Sequence, residues 1–401
     1  PIDHPESPEE FAARLAAATT SAKVEARRQA LHNSLSFRRR VRPHDPAAKS
    51  AEEARQRLCS PAFDSAQELA AAIGRPLGLI MRRFLIHQGD KTRVIDDGKE
   101  SGSNDIIRTV ETITLPSVAW VAAVATQWHK LFDQQQRRHG VSPADRIPPP
   151  GLAVGLENIT NAYRQIPCAN PGDTAFAYLD PSSGHVVYRC IWGFPFGLVS
   201  SPLQFSRSTT WVSWVAQRLL AIPMTNYIDD FIIVKAQGTL QRGGAQNTLD
   251  SFLEALRFLP LAEKKRRHAG PLQRVLGIDI DLTEASLLVD CAVSLRPSPT
   301  RVEKVLAALA AAKEAGSLSR HIAATLSGKL QFMFSSTPGR FGRNIIQPLL
   351  DASDARGGTQ RFPRLTEMAS LLSALLAGWL ARPCRLQVSA TPGRPVLVYS
   401  D

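Results

Sequence analysis

The chain has 401 residues, of which 44% are hydrophobic, so it is long enough for two or three domains and too apolar to be disordered throughout. Lysine and arginine outnumber aspartate and glutamate by 48 to 36, which gives a net charge of +12. This excess favours a polyanionic partner, nucleic acid first, although a basic surface kept for solubility explains the charge equally well.

Cysteine spacing and the lengths of the apolar runs indicate the cellular location of the protein and whether a membrane partner is expected. The five cysteines are scattered, with no C-x-x-C pair, which favours reduced thiols in the cytoplasm or nucleus over a disulfide framework. The apolar runs 118–125 and 371–381 are shorter than the roughly 20 residues that span a bilayer, so no membrane partner is expected. A start at Pro1 and a stop at Asp401 are typical of a piece of a longer protein.

The first part of the chain, residues 1–75, is rich in Ala, Arg, Glu and Gln, and its helical spacing is broken by prolines. We predict a helical or partly disordered basic extension there. It contains the basic cluster Arg38, Arg39, Arg40 and Arg42. Such a cluster is either a solvated face or a phosphate-binding or targeting segment, and both hypotheses stay open.

The remaining elements alternate irregularly between strands and helices. Residues 76–110 form a basic strand–turn pattern, and apolar residues repeat on one face of a helix at 114–135. Further strands are predicted at 152–158, 174–180, 186–194, 275–281, 285–290 and 395–401, and hairpins around 181–184 and within 226–234. Further helices are predicted at 201–220, 245–258, 301–316, 321–336 and 365–380. This order predicts an α+β fold, with an antiparallel sheet packed on helices and then a helical region.

The segment Asn226-Tyr-Ile-Asp-Asp-Phe-Ile-Ile-Val234 places two adjacent acids between apolar β-formers. At the tip of a hairpin, Asp229 and Asp230 would hold two carboxylates close together, and two charges 4 Å apart repel by about 4 kcal/mol at an effective dielectric near 20. A hard cation such as Mg²⁺ removes that cost. A solvent-exposed turn is the simpler alternative for this motif in isolation.

Two other segments accompany the hairpin. Residues 157–167, Glu-Asn-Ile-Thr-Asn-Ala-Tyr-Arg-Gln-Ile-Pro, end a strand and open a turn. Residues 193–207, Gly-Phe-Pro-Phe-Gly-Leu-Val-Ser-Ser-Pro-Leu-Gln-Phe-Ser-Arg, lead through Pro202 into a helix whose first amides could face a phosphate. The second segment also suits an ordinary helix start.

In this order the motifs resemble the palm of retroelement reverse transcriptases, closest to retrotransposons of the DIRS or gypsy kind. The set consists of Ala-Tyr-x-Gln-Ile-Pro, Phe-Pro-Phe-Gly-Leu-x-Ser-Ser-Pro, Tyr-x-Asp-Asp and Leu-Gly-Ile-x-Ile. Residues 91–99 resemble the fingers strands, 261–264 the lysine motif near the pyrophosphate, 276–277 the primer-grip hairpin, 327–340 the helical region after the palm, and 395–401 the first strand of a ribonuclease H domain. The resemblance implies fingers and palm at 76–295, a helical thumb or connection at 296–385 and a truncated ribonuclease H start at 386–401.

The resemblance also implies a right-hand polymerase fold and a role for single residues. Asp229 and Asp230 would bind Mg²⁺ or Mn²⁺, and Tyr163 would be the steric gate against a ribose 2′-hydroxyl. Phe196 and Gly197 would line the nucleotide pocket, Lys91 and Arg93 would hold the triphosphate, and Lys264 would protonate pyrophosphate. RNA template, DNA primer and deoxynucleoside triphosphates are the expected partners.

One position departs from the family. Four residues before Ala162, where the family has an aspartate, this chain has Asn158. Two-metal phosphoryl transfer needs bridging carboxylates, and an amide offers one neutral oxygen. The adjacent Glu157 should point to the opposite face because strand side chains alternate.

Three hypotheses follow: an RNA-directed DNA polymerase impaired at Asn158, a catalytically inactive reverse-transcriptase-like protein that binds nucleic acid, and a basic scaffold unrelated to polymerases. The last predicts that Asn158, Tyr163 and Asp229 do not converge. The polymerase hypothesis predicts a cleft of Arg and Lys past Asp229.

Overall fold

The computed structural model describes residues 8–18, 23, 26, 27, 29–31, 46–88, 91–108, 111–237, 244–285, 287, 291–334, 344–354, 365–381 and 383–388. The basic cluster at 38–42 and the strand predicted at 395–401 lie outside these residues. The chain divides into two compact units. The first comprises Pro1–Thr114, Ile159–Val212 and Phe252–Ala262, and the second comprises Leu115–Asn158, Ser213–Ser251 and Glu263–Asp401.

The first unit opens with helices. They are α1 (Pro8–Ala18), α2 (Pro46–Arg55) and α3 (Ala66–Ile73). Helix α3 shows why a short helix forms here: the Ser65 side chain accepts a hydrogen bond from the Glu68 amide at its start, and Gly74 adopts a left-handed conformation (φ 66°) at its end. These three helices lie within residues 1–75, where the helical or partly disordered extension was predicted.

A four-stranded sheet forms the core of the first unit. Its strands are β1 (Met81–Gln88), β2 (Lys91–Asp97), β4 (Ala175–Leu179) and β5 (Val186–Cys190). The order is β2-β1-β4-β5, with β1 and β4 parallel and the other pairs antiparallel. Met81, Phe176 and Ile191 are fully buried in its core. The β4–β5 hairpin was predicted from the sequence, and β1 and β2 lie within the strand–turn pattern predicted at 76–110.

The second unit contains a sheet that carries the acidic hairpin. Its strands are β3 (Leu152–Asn158), β6 (Met224–Tyr227), β7 (Asp230–Ala236) and β8 (Arg267–Gly270). The order is β6-β7-β3-β8, and every pairing is antiparallel. The central strand β7 reads Phe-Ile-Ile-Val without polar alternation because both of its faces are covered.

A second sheet in this unit has the order β12-β11-β10-β9. Its strands are β9 (Leu272–Val275), β10 (Ile278–Asp281), β11 (Ala292–Pro297) and β12 (Cys384–Gln387). Helix α4 (Ala119–Arg138) buries Val121 and Ala125 in one cluster with residues of both sheets, including Ile232 and Ile280. This shared core fixes the sheet that carries the acidic hairpin.

The other helices are α5 (Ser200–Leu219), α6 (Gly244–Ala255), α7 (Pro299–Ala315), α8 (Arg320–Phe334), α9 (Gln347–Asp354) and α10 (Leu365–Ala381). Helices α7 to α10 share an apolar cluster that includes Leu309, Leu330 and Leu372. The indole of Trp379 on α10 donates to the Leu295 carbonyl on β11 at 3.2 Å. The predicted helical region after the sheets is therefore present.

One strand prediction was wrong, and a second falls mostly outside the described residues. Residues 275–281 are not one strand, because a turn at Leu276 and Gly277 separates β9 from β10. Of the strand expected at 285–290, Ala285 lies in a turn and Leu287 in no regular element, and the other four residues lie outside those that the structure describes. Gly277 adopts φ 80°, which glycine reaches without strain, and the turn lies at 276–277, where the family resemblance implied a hairpin.

Among the described residues, no helix is both long and apolar enough to cross a bilayer.

Candidate active site

The acidic hairpin turns within two residues. Tyr227 pairs with Asp230, so Ile228 and Asp229 form the loop between β6 and β7. Ile228 adopts φ 54°, a left-handed conformation that is a genuine outlier for a β-branched residue. The turn leaves both aspartates half-buried at the end of the sheet. Strain of this kind concentrates at functional sites and costs on the order of 1–3 kcal/mol.

Strand β3 brings Asn158 against the two acids. Asn158 pairs with Asp230 at the last position of the β3–β7 ladder. Its Nδ2 donates to Asp229 Oδ2 at 3.2 Å and to Asp230 Oδ1 at 2.7 Å. The sequence placed these three residues together, and the hydrogen bonds bear out their contact. Their contact also contradicts the part of the scaffold hypothesis that kept Asn158 and Asp229 apart.

A lysine that the sequence analysis missed completes the group. Lys265 Nζ donates to Asn158 Oδ1 at 2.7 Å. The family resemblance drew attention to Lys264 instead, which is exposed. The spacing of 107 residues between Asn158 and Lys265 gives no local signal for this contact. The four side chains are Asn158, Asp229, Asp230 and Lys265, and we call them the amide–acid group.

The electrostatics of Asp230 differ from those of an exposed acid. Burial raises the pKa of the Asp230 carboxyl, and the nearby charge of Asp229 raises it further. The hydrogen bond from Asn158 and the charges of Lys265 and Arg267 oppose that rise. The net upward shift means that neighbouring donors and cations only partly offset the cost of burying this charge.

Glu157 lies on the other face of β3, as strand alternation predicted. It is fully buried, and its Oε1 accepts from Gln246 Nε2 at 2.8 Å and from Arg266 Nε at 2.7 Å. Burial raises the pKa of Glu157, although Arg266 opposes the shift. Its other oxygen, Oε2, is buried without a hydrogen-bond partner. Glu157 therefore cannot replace the missing carboxylate at position 158.

The donor set suits one magnesium ion better than two. Mg²⁺ is commonly bound by one or two carboxylates plus substrate phosphates, which Asp229 and Asp230 could supply. A bridged pair of ions needs further carboxylate oxygens, whereas Asn158 presents its N–H groups to both acids. Within the described residues, no group of three or more His, Cys, Asp or Glu side chains is placed to hold a metal ion. The residues fit a single ion and not a metal pair.

The residues expected to line a nucleotide pocket lie in the first unit. The ring of Tyr163 lies 4.9 Å from that of Phe196 and 5.3 Å from that of Phe205. Gly197 has φ 127°, and a Cβ there would lie 1.9 Å from the Asp96 carbonyl oxygen. Only glycine permits this approach between the Phe196–Gly197 segment and strand β2.

A buried ion network holds these segments in place. The Asp96 carboxylate accepts from Arg83 Nε at 2.7 Å and from an Arg164 guanidinium nitrogen at 3.0 Å. Glu53 accepts from the same two arginines, at 2.7 Å and 3.0 Å. Burial alone would raise the pKa of Asp96, but the two arginines hold it below its usual value. Because Arg164 follows Tyr163, this network fixes the backbone that carries the tyrosine.

The two residues predicted to hold the triphosphate, Lys91 and Arg93, lie on strand β2. Arg93 is exposed on β2, and Lys91 begins that strand. On the same strand, the backbone amide of Asp96 donates a hydrogen bond to the Phe196 carbonyl at 2.8 Å. The strand expected to hold a triphosphate is thus joined to the segment expected to line the nucleotide pocket.

A basic cleft lies in the second unit. Its volume is about 450 Å³, and its lining includes Arg301, Lys304, Lys329 and Phe332. The guanidinium of Arg301 lies 5.0 Å from the centre of the Phe332 ring, and Tyr227 of the acidic hairpin meets that ring edge-on at 6.1 Å. Cations and an aromatic face suit a nucleic-acid backbone and its bases. Asp229 is not among the residues that line this cleft, so the predicted cleft of Arg and Lys past Asp229 stays a prediction.

No protein-family model and no curated protein sequence matches the chain. Among solved structures, it is similar to the foamy viral protease-reverse transcriptase in complex with double-stranded DNA (12% identity, TM-score 0.52) and with an RNA/DNA hybrid (13% identity, TM-score 0.50). The similarity covers 84% and 81% of this chain but only 48% and 35% of those chains. The chain therefore has a reverse-transcriptase-like fold.

Proposed function

We propose that the chain is the polymerase region of a retroelement reverse transcriptase, with RNA-directed DNA synthesis strongly impaired by Asn158. The observation that carries the proposal is the contact of Asn158 with both Asp229 and Asp230 at the end of β3 and β7. That geometry supports a polymerase-type acid site with one carboxylate replaced. The fold shared with reverse transcriptases supports it independently.

The proposed partners are a template–primer duplex and deoxynucleoside triphosphates. The cleft of Arg301, Lys304 and Lys329 would contact phosphates, while Tyr163 and Phe196 would pack against an incoming sugar. One Mg²⁺ on Asp229 and Asp230 would stabilise the charge of transferring phosphates. An amide at position 158 offers no negative charge for a second ion, and this is the reason for the impairment.

The test is primer extension on an RNA template with three purified proteins: the chain as it is, Asn158→Asp, and Asn158→Asp combined with Asp229→Asn. A carboxylate that supplies 3–4 kcal/mol of transition-state stabilisation accelerates the reaction by about 100- to 1,000-fold. We expect a gain of that order in Asn158→Asp and its loss in the double variant. Equal extension by the chain as it is and Asn158→Asp would overturn the assigned role of position 158.

A second candidate function is nucleic-acid binding without synthesis. It is favoured by the hydrogen bonds that Asn158 and Lys265 already make within the amide–acid group, which occupy the polar atoms of the amide. This candidate predicts tight binding of template–primer by the chain as it is, with no extension in either Mg²⁺ or Mn²⁺. Measurable extension in either metal would exclude it.

A further inference from the structure

The amide–acid group is arranged like a cation site whose cation has been replaced. The Asn158 Nδ2 group donates to both acids, at 3.2 Å and 2.7 Å, and so engages one oxygen of each carboxylate. Asn158 is 7% exposed, so these donors replace water at the carboxylates. The amide therefore already supplies the positive end of a dipole to both acids.

Lys265 determines which way that amide faces. Its ammonium donates to Asn158 Oδ1 at 2.7 Å. If the amide were turned over, Oδ1 would face two carboxylates and Nδ2 would face the ammonium, placing acceptor against acceptors and donor against donor. A single orientation thus satisfies Lys265, Asp229 and Asp230 together.

We propose that Lys265 is a positioning residue that, by fixing the Asn158 amide with its N–H groups toward Asp229 and Asp230, makes the pair an internal substitute for a divalent cation. The proposal rests on the proposed function for the identity of the acid site. It goes beyond it in assigning a role to Lys265 and in stating that weak metal binding is built into the chain. Removal of Lys265 frees Oδ1 to turn toward a cation, which then has three oxygen ligands from the protein.

The experiment measures Mn²⁺ binding to the full chain by calorimetry, without substrate. We expect Lys265→Met to tighten Mn²⁺ binding by about tenfold, since it adds an oxygen ligand. Lys265→Arg keeps a cationic donor and should restore weak binding. Arg267→Met is the matched control, because Arg267 also acts on Asp230 by its charge but its guanidinium bonds to the Arg274 carbonyl. Its effect should stay below about threefold.

A double-mutant cycle separates positioning from simple charge removal. In an Asn158→Ala background, Lys265→Met should change Mn²⁺ affinity by less than about threefold, because there is no amide left to orient. Equal effects of Lys265→Met in the two backgrounds, or an effect no larger than that of Arg267→Met, would overturn the proposal. Lys265 and Arg267 are exposed, so their single variants should fold. Circular dichroism checks the fold of every variant, including those at the buried Asn158.

The same proteins are assayed for template–primer binding. Tighter Mn²⁺ binding in Lys265→Met without any duplex binding would support the role of Lys265 and reject the proposed function. Duplex binding together with unchanged Mn²⁺ affinity in Lys265→Met would support the proposed function and reject the role of Lys265.

Discussion

At position 158 an amide group faces two carboxylates across hydrogen bonds of 3.2 Å and 2.7 Å. A carboxylate in the same place would repel both acids and would need a cation to hold the three groups together. The amide removes that need because its Nδ2 donates to each acid. One side chain thus offsets part of the repulsion between the two acids at this end of the sheet.

Glu157, the neighbouring residue, gives a prediction about pH. Burial raises its pKa in the folded chain, so the folded state holds its proton to a higher pH than the unfolded state. Stability contributed by this group is therefore lost as pH rises from its usual pKa of 4.5 through the raised value. We expect Glu157→Gln to gain stability relative to the unchanged chain over that window.

Urea unfolding at several pH values between about 4 and 7 measures this difference. Glu263→Gln is the control, since Glu263 is exposed and its curve should run parallel to that of the unchanged chain. Parallel curves for Glu157→Gln as well would contradict the prediction.

At the scale of elements, the buried network of Asp96, Arg83, Arg164 and Glu53 joins strand β2, strand β1, the Tyr163 segment and helix α2. Asp96 contributes through its lowered pKa, so its stabilisation is present at neutral pH and is lost as pH falls through the folded-state value. Removing one partner of a buried ion pair costs about 3–5 kcal/mol.

We therefore expect Asp96→Asn to lower the free energy of unfolding by about 3–5 kcal/mol at neutral pH. The difference should shrink as pH falls below about 4. Denaturant unfolding of the full chain checks both. The exposed Asp173→Asn variant should change stability by less than about 0.5 kcal/mol. A pH-independent loss in Asp96→Asn would show that packing, and not charge, is responsible.

A glycine pair tests the approach of strand β2 to the Phe196–Gly197 segment. A Cβ at Gly197 would lie 1.9 Å from the Asp96 carbonyl, and the φ of 127° adds strain, so Gly197→Ala should destabilise the chain by at least about 3 kcal/mol. Gly378→Ala, in helix α10 with open space around it, should instead stabilise by about 0.5–1 kcal/mol. Thermal melting distinguishes the two, and a tolerated Gly197→Ala would mean that the segment can move away.

The elements were largely predictable because their periodicities are local. Helices α4, α5 and α7 and the hairpins around 181–184 and 228–229 follow from apolar spacing and turn residues. The register of β3 on β7 and the contact of Lys265 with Asn158 could not be predicted in this way, because they join residues that are 72 and 107 positions apart. The Asp96 network was also missed, because its members are far apart in the chain and because buried arginines look like surface residues in a sequence.

For the whole molecule, the position of some of the basic residues helps to explain the net charge of +12. Three cations, Arg301, Lys304 and Lys329, line one cleft. If that cleft contacts phosphates, the logarithm of the duplex-binding constant should fall linearly with the logarithm of salt concentration. The slope should be about −0.9 for each phosphate neutralised on B-form DNA.

We expect Lys304→Ala and Lys329→Ala each to reduce that salt slope by about 1, with similar losses on unrelated duplex sequences. Fluorescence anisotropy at several salt concentrations measures it. Lys313→Ala, on the same helix as Lys304 but bonded to Ser370, should leave the slope unchanged. Affinity that does not respond to salt would remove the cleft from the binding surface.

The left-handed Ile228, which directly precedes the two acids, has a consequence for how the hairpin forms. A free peptide of residues 224–236 would avoid this conformation, because nothing in its own sequence repays the strain. Its nuclear magnetic resonance spectrum should therefore be that of an unstructured peptide. In the intact chain β3 pairs with β7 along its whole length, so we expect the turn that presents the two acids to depend on the completed sheet.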